Sequence, residues 1–501
     1  GNKNISADYN LAGTLGFSNR ETTSAGLNLS STVPTSLVFP NYFSVYALNG
    51  QYNKGESLRK TMTQAAFGNA TLGYKEKIYL DITARNEWSS TVAQSFFYPS
   101  AGLSYILKDG SNDRSSASNV LSFAKLTASY AEVGNSLPFG INNRAPAMSL
   151  DNSGNLNPRG TLPFFKGTDT LSLNPERTKS YEFGTELRFL NNKLSLNLNY
   201  YNATTSDQIL QIQAPAGAGA SNFWINGGII RNKGIEGIIN YNSLIGEIQW
   251  ASSLNFSHNK NQIRELSDKL DAERFVLTSF NQSRLVSIYL TRPVDGEYGS
   301  FGDMYGRVYE KDENGTLITD EDGLPQVSAN PDQFIGNANP NFLAGLNNSF
   351  AYKNFSLSFL IDSRFGGGVI NRTEVWLDYK GLSERSGEAR DNGGVMVNGQ
   401  MVDAKEYYLN QTGAGATAIA SEYFFDATNI RLREFQIGYN LPLTNEFIKE
   451  LNLSFVGRNL FFFYKKAPFD PEISVNTSPT SEGISSFSQP QTRSFGISLR
   501  A

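Results

Sequence analysis

Few residues in this chain could do chemistry. The only histidine among 501 residues is His258, so any imidazole acid or base must be that group, and a multi-histidine metal site is excluded. Cysteine is absent, which removes thiol nucleophiles, thiolate ligands and disulfides together. His258 ends an alternating segment beside a loop with no matched carboxylate pattern, and we read it as a rim or loop residue. Glu182 and Glu186 share one face of an extended segment, and a glycosidase would use two such carboxylates. Four positions apart on a strand they lie ~13 Å from each other at about 3.3 Å per residue, too far for either glycosidase geometry. No catalytic, cofactor-binding or metal-ligating set is expected.

Two acidic motifs, Asp312-Glu-Asn-Gly and Asp320-Glu-Asp-Gly, resemble pieces of a calcium loop but lack EF-hand spacing and its closing glutamate. Asn314-Gly315 is instead a hairpin signal, and we read both motifs as acidic turns. The run Phe461-Phe462-Phe463-Tyr464 could stack on a sugar, but an interfacial girdle or loop anchor is the simpler use. Nothing fits a phosphate-binding or dinucleotide loop.

What must position these residues is a repeated strand. In KLSLNLNYYNATT, residues 193–205, Leu194, Leu196, Leu198 and Tyr200 fall on one side and Ser195, Asn197, Asn199 and Tyr201 on the other. The pattern returns about fourteen times along the chain. Connections alternate between a few residues and long excursions, at about 18–62, 136–178, 264–340, 366–427 and 463–489. Such sorting by length has no purpose in a soluble sandwich, whereas an outer-membrane barrel keeps short turns at the periplasm and long loops outside. The even count, starting with an upward strand, suits two periplasmic ends.

Charge placement agrees. A Lys or Arg facing lipid at mid-membrane costs roughly 2–4 kcal/mol, and Asp81, Arg85, Glu182, Glu186, Arg188, Asp362 and Arg364 all lie in the polar phase. They are the expected lumen-facing residues. Ile78, Leu80, Ile82, Leu194, Leu196, Leu198, Phe355, Leu357 and Phe359 are the expected lipid-facing ones. Between Ile430 and Tyr439 the phase slips, which predicts a bulge. With Phe 34, Tyr 24 and Gly 45, the composition suits a β protein with interfacial rings. A net charge of -4 argues against nucleic acid. A mean hydropathy of -0.35 does not separate a soluble protein from a barrel with a wet lumen. No apolar run reaches the ~18 residues of a transmembrane helix.

Several segments resemble the SusC/RagA-like family of TonB-dependent outer-membrane transporters. They include TLGYKEKIYLDITARNEWSS (71–90), KSYEFGTELRFLNNKLSLNLNYYNATTSDQIL (179–210), ANPNFLAGLNNSFAYKNFSLSFLIDSRFGG (338–367) and LNLSFVGRNLFFFYKKAPFDPEIS (451–474). The resemblance implies a transmembrane antiparallel β-barrel in which these strands are the ninth to the twenty-second. It implies a plug and TonB-contacting region outside the chain, a SusD-like lipoprotein partner, and import of an oligosaccharide or peptide across the outer membrane. It also implies no enzymatic activity and no cofactor. The start at Gly1 suggests a processed or partial chain, and family members end on an aromatic where this one has Arg500-Ala501. A passive fourteen-stranded channel and a carbohydrate-binding surface sandwich are the alternative readings from the residues alone.

Overall fold

The computed structural model of the protein describes residues 2–31, 39, 41, 52–92, 95–109, 120–137, 141, 147–150, 156–159, 161–163, 173–214, 221–266, 274–279, 287–291, 298–415, 417–442, 450–473 and 483–500. Fourteen strands form one antiparallel sheet in which each pairs with its neighbours in sequence. They are β1 (Tyr9–Ser31), β2 (Tyr52–Tyr74), β3 (Ile78–Ser89), β4 (Phe96–Lys108), β5 (Leu121–Asn135), β6 (Glu176–Phe189) and β7 (Leu194–Ser206). The series continues with β8 (Gly228–Ile245), β9 (Ile248–Leu266), β10 (Phe342–Tyr352), β11 (Phe355–Phe365), β12 (Asn429–Pro442), β13 (Glu450–Lys465) and β14 (Ser494–Arg500). A short strand, Asn2–Asn4, folds back on β1 at one edge of the sheet; β14 is the other edge, and no pairing joins the two among the described residues.

The first hairpin corrects the sequence reading. The alternation predicts a strand over 5–17 and a loop over 18–62, but β1 begins at Tyr9 and pairs with β2 without interruption from Tyr9↔Tyr74 to Ser31↔Tyr52. At about 3.3 Å per residue such a hairpin is roughly 75 Å long, far taller than the ~25 Å apolar band of an outer-membrane barrel. From Ser18 to Ser24 the strand has no oily side to reveal it, because Asn19, Arg20, Glu21 and Thr22 run polar on both faces. Only the part of that loop between 32 and 51 lies largely outside the described residues, as do the centres of the loops at 136–178 and 463–489.

The β8–β9 connection is likewise tighter than expected. The sequence reading places a four-residue turn at Ser243–Gly246, yet Ile245 pairs with Ile248 and the chain reverses over Gly246-Glu247 alone. Gly246 has φ 61°, the left-handed region that two-residue hairpins require. A Cβ there would meet nothing within 4 Å, so only the backbone resists substitution. Gly246→Val should cost about 1–2 kcal/mol, read as a lower denaturation midpoint in detergent; an unchanged midpoint would mean that the turn relaxes freely.

The deeply buried side chains lie mainly in the loops. Met304, Ala338, Ile370, Val375, Ala418, Ala420, Tyr423 and Ile484 form one core, drawn from both large excursions and from the segment before β14. Three short helices belong to this cap: α1 (Arg372–Tyr379), α2 (Glu384–Asp391) and α3 (Ala404–Thr412). Asn371, Ser383 and Asp403 cap them by accepting from backbone N–H groups of the first turn. The cap is thus a folded unit rather than loose loops, a property that the all-β reading omits.

Candidate functional site

Register shows how the sheet sorts its residues, since directly opposed residues share a face. Leu194, Leu196 and Leu198 stand opposite Phe189, Leu187 and Thr185 on β6 and opposite Tyr241, Ile239 and Gly237 on β8. Ile78, Leu80 and Ile82 stand opposite Tyr105, Leu103 and Ala101; Phe355, Leu357 and Phe359 stand opposite Tyr352, Phe350 and Asn348. This face leaves Leu80, Ile82, Leu103, Phe183, Phe355 and Phe455 exposed, a patch that water would not tolerate over fourteen strands.

Rings bound this face at both ends. Near the short turns lie Tyr9 and Tyr74, 4.9 Å apart, Tyr241 against Trp250 at 4.9 Å, and Phe355 against Tyr439 at 4.7 Å. Near the loops lie Tyr130 with Tyr181 at 5.0 Å, and Phe342 with Phe256 at 6.0 Å and Phe365 at 6.1 Å. From Phe342 to Tyr352 the eleven residues of β10 span about 33 Å along the strand at about 3.3 Å per step. A tilt of roughly 35–45° brings that to about 25 Å, the height of an outer-membrane apolar band. On this face of β10 the one amide is Asn348, which is buried and accepts from Trp250 Nε1 at 3.0 Å. Trp250→Phe would leave it unsatisfied and should cost about 1–3 kcal/mol by denaturant titration, with rescue by Asn348→Leu in the double variant.

The opposite face collects the predicted polar residues into rows. Asp81, Gly102, Ser129, Glu182, Tyr201 and Gly234 are successive cross-strand partners from β3 to β8. Glu186, Asn197, Ile238, Asn255, Gly345 and Asp362 run in the same way from β6 to β11. On this face Thr71 donates to Asp81 at 2.5 Å, Arg188 meets Glu186 at 2.6 Å, and Arg85 meets Glu87 at 2.7 Å. Arg364 donates to the Ala338 carbonyl, tying the wall to the cap. Glu182 and Glu186 are thus separate members of two rows, not a catalytic pair.

At β12 the expected bulge is present, with register shifts at Ile430/Arg431 and Leu432/Glu434. It allows Arg431 and Arg433 to reach one cluster. Arg433 contacts Asp362 at 2.6 Å and Glu472 at 2.7 Å; Arg431, only 3% exposed, contacts Glu472 at 3.1 Å and Asp470 at 3.5 Å. Gln491 Oε1 accepts from both guanidiniums at 3.0 and 3.1 Å. The Arg431 guanidinium also lies 4.4 Å from the Phe462 ring centre, so the aromatic run divides: Phe462 supports the clamp, while Phe461, Phe463 and Tyr464 are exposed. Burial pushes the Glu472 carboxyl up, but Arg433, Arg431 and Gln491 outweigh it and hold it below the usual carboxylate range. A depressed folded value stabilises above the ordinary carboxylate range and is lost as pH falls through it. Protease cleavage within 466–473 should therefore rise in acid, and Glu472→Gln should flatten that dependence; a flat wild-type profile would discount the clamp.

His258 Nδ1 lies 2.5 Å from the Asn341 carbonyl oxygen, bridging β9 to the residue before β10. Asp312 Oδ1 accepts from Asn314 N and Thr316 N at 2.9 Å each, and Asp320 Oδ1 from Asp322 N and Leu324 N at 3.0 and 2.8 Å. The acidic motifs are hairpin turns, as read.

Residues 1–359 match the family described as TonB dependent receptor-like, beta-barrel. The chain belongs to that family. It is SusC/RagA-like and an outer-membrane β-barrel chain. It is 26% identical over 475 residues to TonB-dependent receptor P3 of Formosa agariphila, covering 88% of this chain and 46% of that protein. It is 24% identical over 342 residues to TonB-dependent receptor SusC of Bacteroides thetaiotaomicron, covering 65% of this chain and 32% of that one. Among solved structures, the RagAB peptide importer in the open-open state superposes with a TM-score of 0.71 at 16% identity, over 99% of this chain and 53% of that chain. This chain therefore spans less than half the length of the curated relatives it matches. Its fold is the expected one, a partial wall of an antiparallel transmembrane barrel.

The sequence reading did not single out Arg431 and Arg433 as a clamp. Their signal was indirect, the phase slip at 430–439. It also overlooked the helices of the cap, although Asn371, followed three residues later by Glu374, and Asp403, followed by Glu406, carry the spacing of a helix start.

Proposed function

We propose that this chain forms wall and extracellular cap of a TonB-dependent importer for a bulky polar nutrient, an oligosaccharide or a peptide. The apolar face meets lipid, and the rows through Asp81 and Asp362 line a hydrated lumen. A SusD-like surface lipoprotein docks on the cap, and energy arrives from TonB through a plug region outside these 501 residues. The observation that carries the reading is the continuous two-faced wall, ringed by aromatics and closed above by a packed cap. A passive channel has no need of a cap with its own core.

Deleting 366–427, or 264–340, in the full-length protein should abolish nutrient uptake and lipoprotein co-purification while the strands keep heat-modifiable migration. Because Met304 and Ala338 come from one loop and Ile370, Val375 and Tyr423 from the other, each deletion uncovers the other's core, and both should act alike. Unchanged uptake in both deletions rejects the assignment.

A further inference from the structure

The apolar face changes character just above its upper ring of aromatics, and on one stretch of the wall. On β6, Lys179 and Arg177 follow Tyr181 at the next two positions of that face; on β8, Lys233 and Arg231 follow Ile235; on β9, Lys260 follows Phe256 and His258. Register puts all five on the side of Leu198. Tyr181, Asn202, Lys233 and Lys260 are successive cross-strand partners, as are Lys179, Thr204, Arg231 and Gln262, while Arg177 faces Ser206. They stand above the Tyr130–Tyr181 and Phe256–Phe342 ring pairs, where the apolar band gives way to polar surroundings. On β3, β7, β10 and β11 the same face carries no charge from end to end. Interfacial lysines and arginines that merely lift their heads out of lipid would be spread around the wall. These gather within four adjacent strands, in a chain of net charge -4.

Carboxylates do not match this charge. Glu132 is shared by Arg177 at 3.3 Å and Lys179 at 3.7 Å, and Glu265 stands a step higher, opposite Ile229. Arg231, Lys233 and Lys260 form no ion pair among the described residues. The acids of the cleft beside Lys260 are engaged elsewhere: Asp303 accepts from Ser300 N at 2.6 Å and from Asn337 Nδ2 at 2.5 Å, and Asp426 is held by Lys466 at 2.6 Å. Lys233 and Lys260 are directly opposed, and like charges so placed destabilise a ladder. An anion lying over both ammonium groups reverses the sign of that interaction. Arg231 is already aimed, since its Nε donates to Asn202 Oδ1 at 2.8 Å and its two Nη groups have no acceptor among the described residues.

We propose that Arg231, Lys233 and Lys260 bind the phosphate headgroup of an anionic lipid in the outer leaflet, with Arg177 and Lys179 extending the site along the wall. Phosphate suits the set, because a guanidinium meets two of its oxygens while ammonium groups act as point charges on the remainder. Each cation held at a membrane surface strengthens attachment to anionic lipid. A lipid is favoured over an acidic protein partner because the patch is continuous with the face of Leu198 and lies beside the acyl chains, not on the packed cap. The inference rests on the reading that this face meets lipid, and adds to it a preference for one class of headgroup.

The full-length protein in phosphatidylcholine vesicles, carrying a trace of spin-labelled phosphatidic acid or of spin-labelled phosphatidylcholine, separates the two claims. Electron spin resonance reads the motionally restricted lipid at the wall and the relative affinity of the two headgroups. Phosphatidic acid should be preferred by about fivefold or more, and salt at about 1 M should erase the preference. Replacing Arg231, Lys233 and Lys260 together by Gln should bring it near unity. Replacing three lysines of the short turns, Lys75, Lys193 and Lys353, by Gln should leave it at the parental level. Lys260→Glu sets unlike charges opposite each other, which favours the ladder, and should by itself cut the preference at least in half while heat-modifiable migration persists. Restricted lipid without headgroup preference, or a preference that survives in the patch variants, overturns the proposal and leaves the lipid-facing wall standing; no restricted lipid at all removes both.

Discussion

Asp378→Ala is expected to unfold the cap while leaving the wall assembled. The Asp378 side chain is fully buried and accepts from Ser383 Oγ at 2.5 Å, Arg385 Nε at 3.1 Å and Tyr423 OH at 2.7 Å, with a second Arg385 contact to its other oxygen. It joins the end of α1 to the start of α2 and to the Tyr423 at the centre of the loop core. Removing the carboxylate strands a half-buried guanidinium, 35% exposed, and a buried phenol; solvent screening of the guanidinium brings the loss below the roughly 3–5 kcal/mol of a fully buried pair. Glu374, 3.6 Å from Arg385, offers poor compensation, since burial already pushes its carboxyl above the ordinary range. The readout is Trp376, on α1 and 5.8 Å from Tyr379. Its fluorescence should report an early cap transition in the variant, with cleavage across 366–427, before the strands lose heat-modifiable migration. A single transition at the parental midpoint would show that Asp378 does not hold the cap.

Leu198→Arg tests the orientation of the wall. Leu198 stands opposite Thr185 and Gly237, midway between the levels of Tyr241 and Tyr181, near the middle of the apolar band. If that face meets acyl chains, a guanidinium there costs roughly 2–4 kcal/mol. Asn197→Arg, one residue back and on the other face, should shift stability by no more than about 0.5 kcal/mol. Chemical denaturation in lipid vesicles separates the two. Equal losses would mean that both faces are packed by protein, and a harmless Leu198→Arg would mean that the apolar face meets water; either result removes the barrel reading and the importer with it.

Much of this wall was legible because a strand's side chains alternate and a barrel exposes one set to lipid. Wherever the oily row exists, as in Ile78–Ile82, Leu194–Leu198 and Phe355–Phe359, the expected strand is found and the oily residues stand opposite one another in register. Reading failed where the strand leaves the bilayer: from Ser18 to Ser24 both sides of β1 are polar, so alternation carries no signal, and the hairpin was taken for a loop. At Arg431 and Arg433 the slip of phase was visible, but its use was not, because Glu472, Asp470 and Gln491 lie tens of residues away along the chain.

The sequence by itself therefore determined the strand number, the two faces and the membrane class, all of which follow from a local period of two and from the high energy of charge in lipid. Only the tertiary structure decided that two long loops share one core, that Asp378 ties it together, and that Lys233 stands opposite Lys260 above the apolar band. Those depend on contacts between residues far apart in the chain, for which no local periodicity exists.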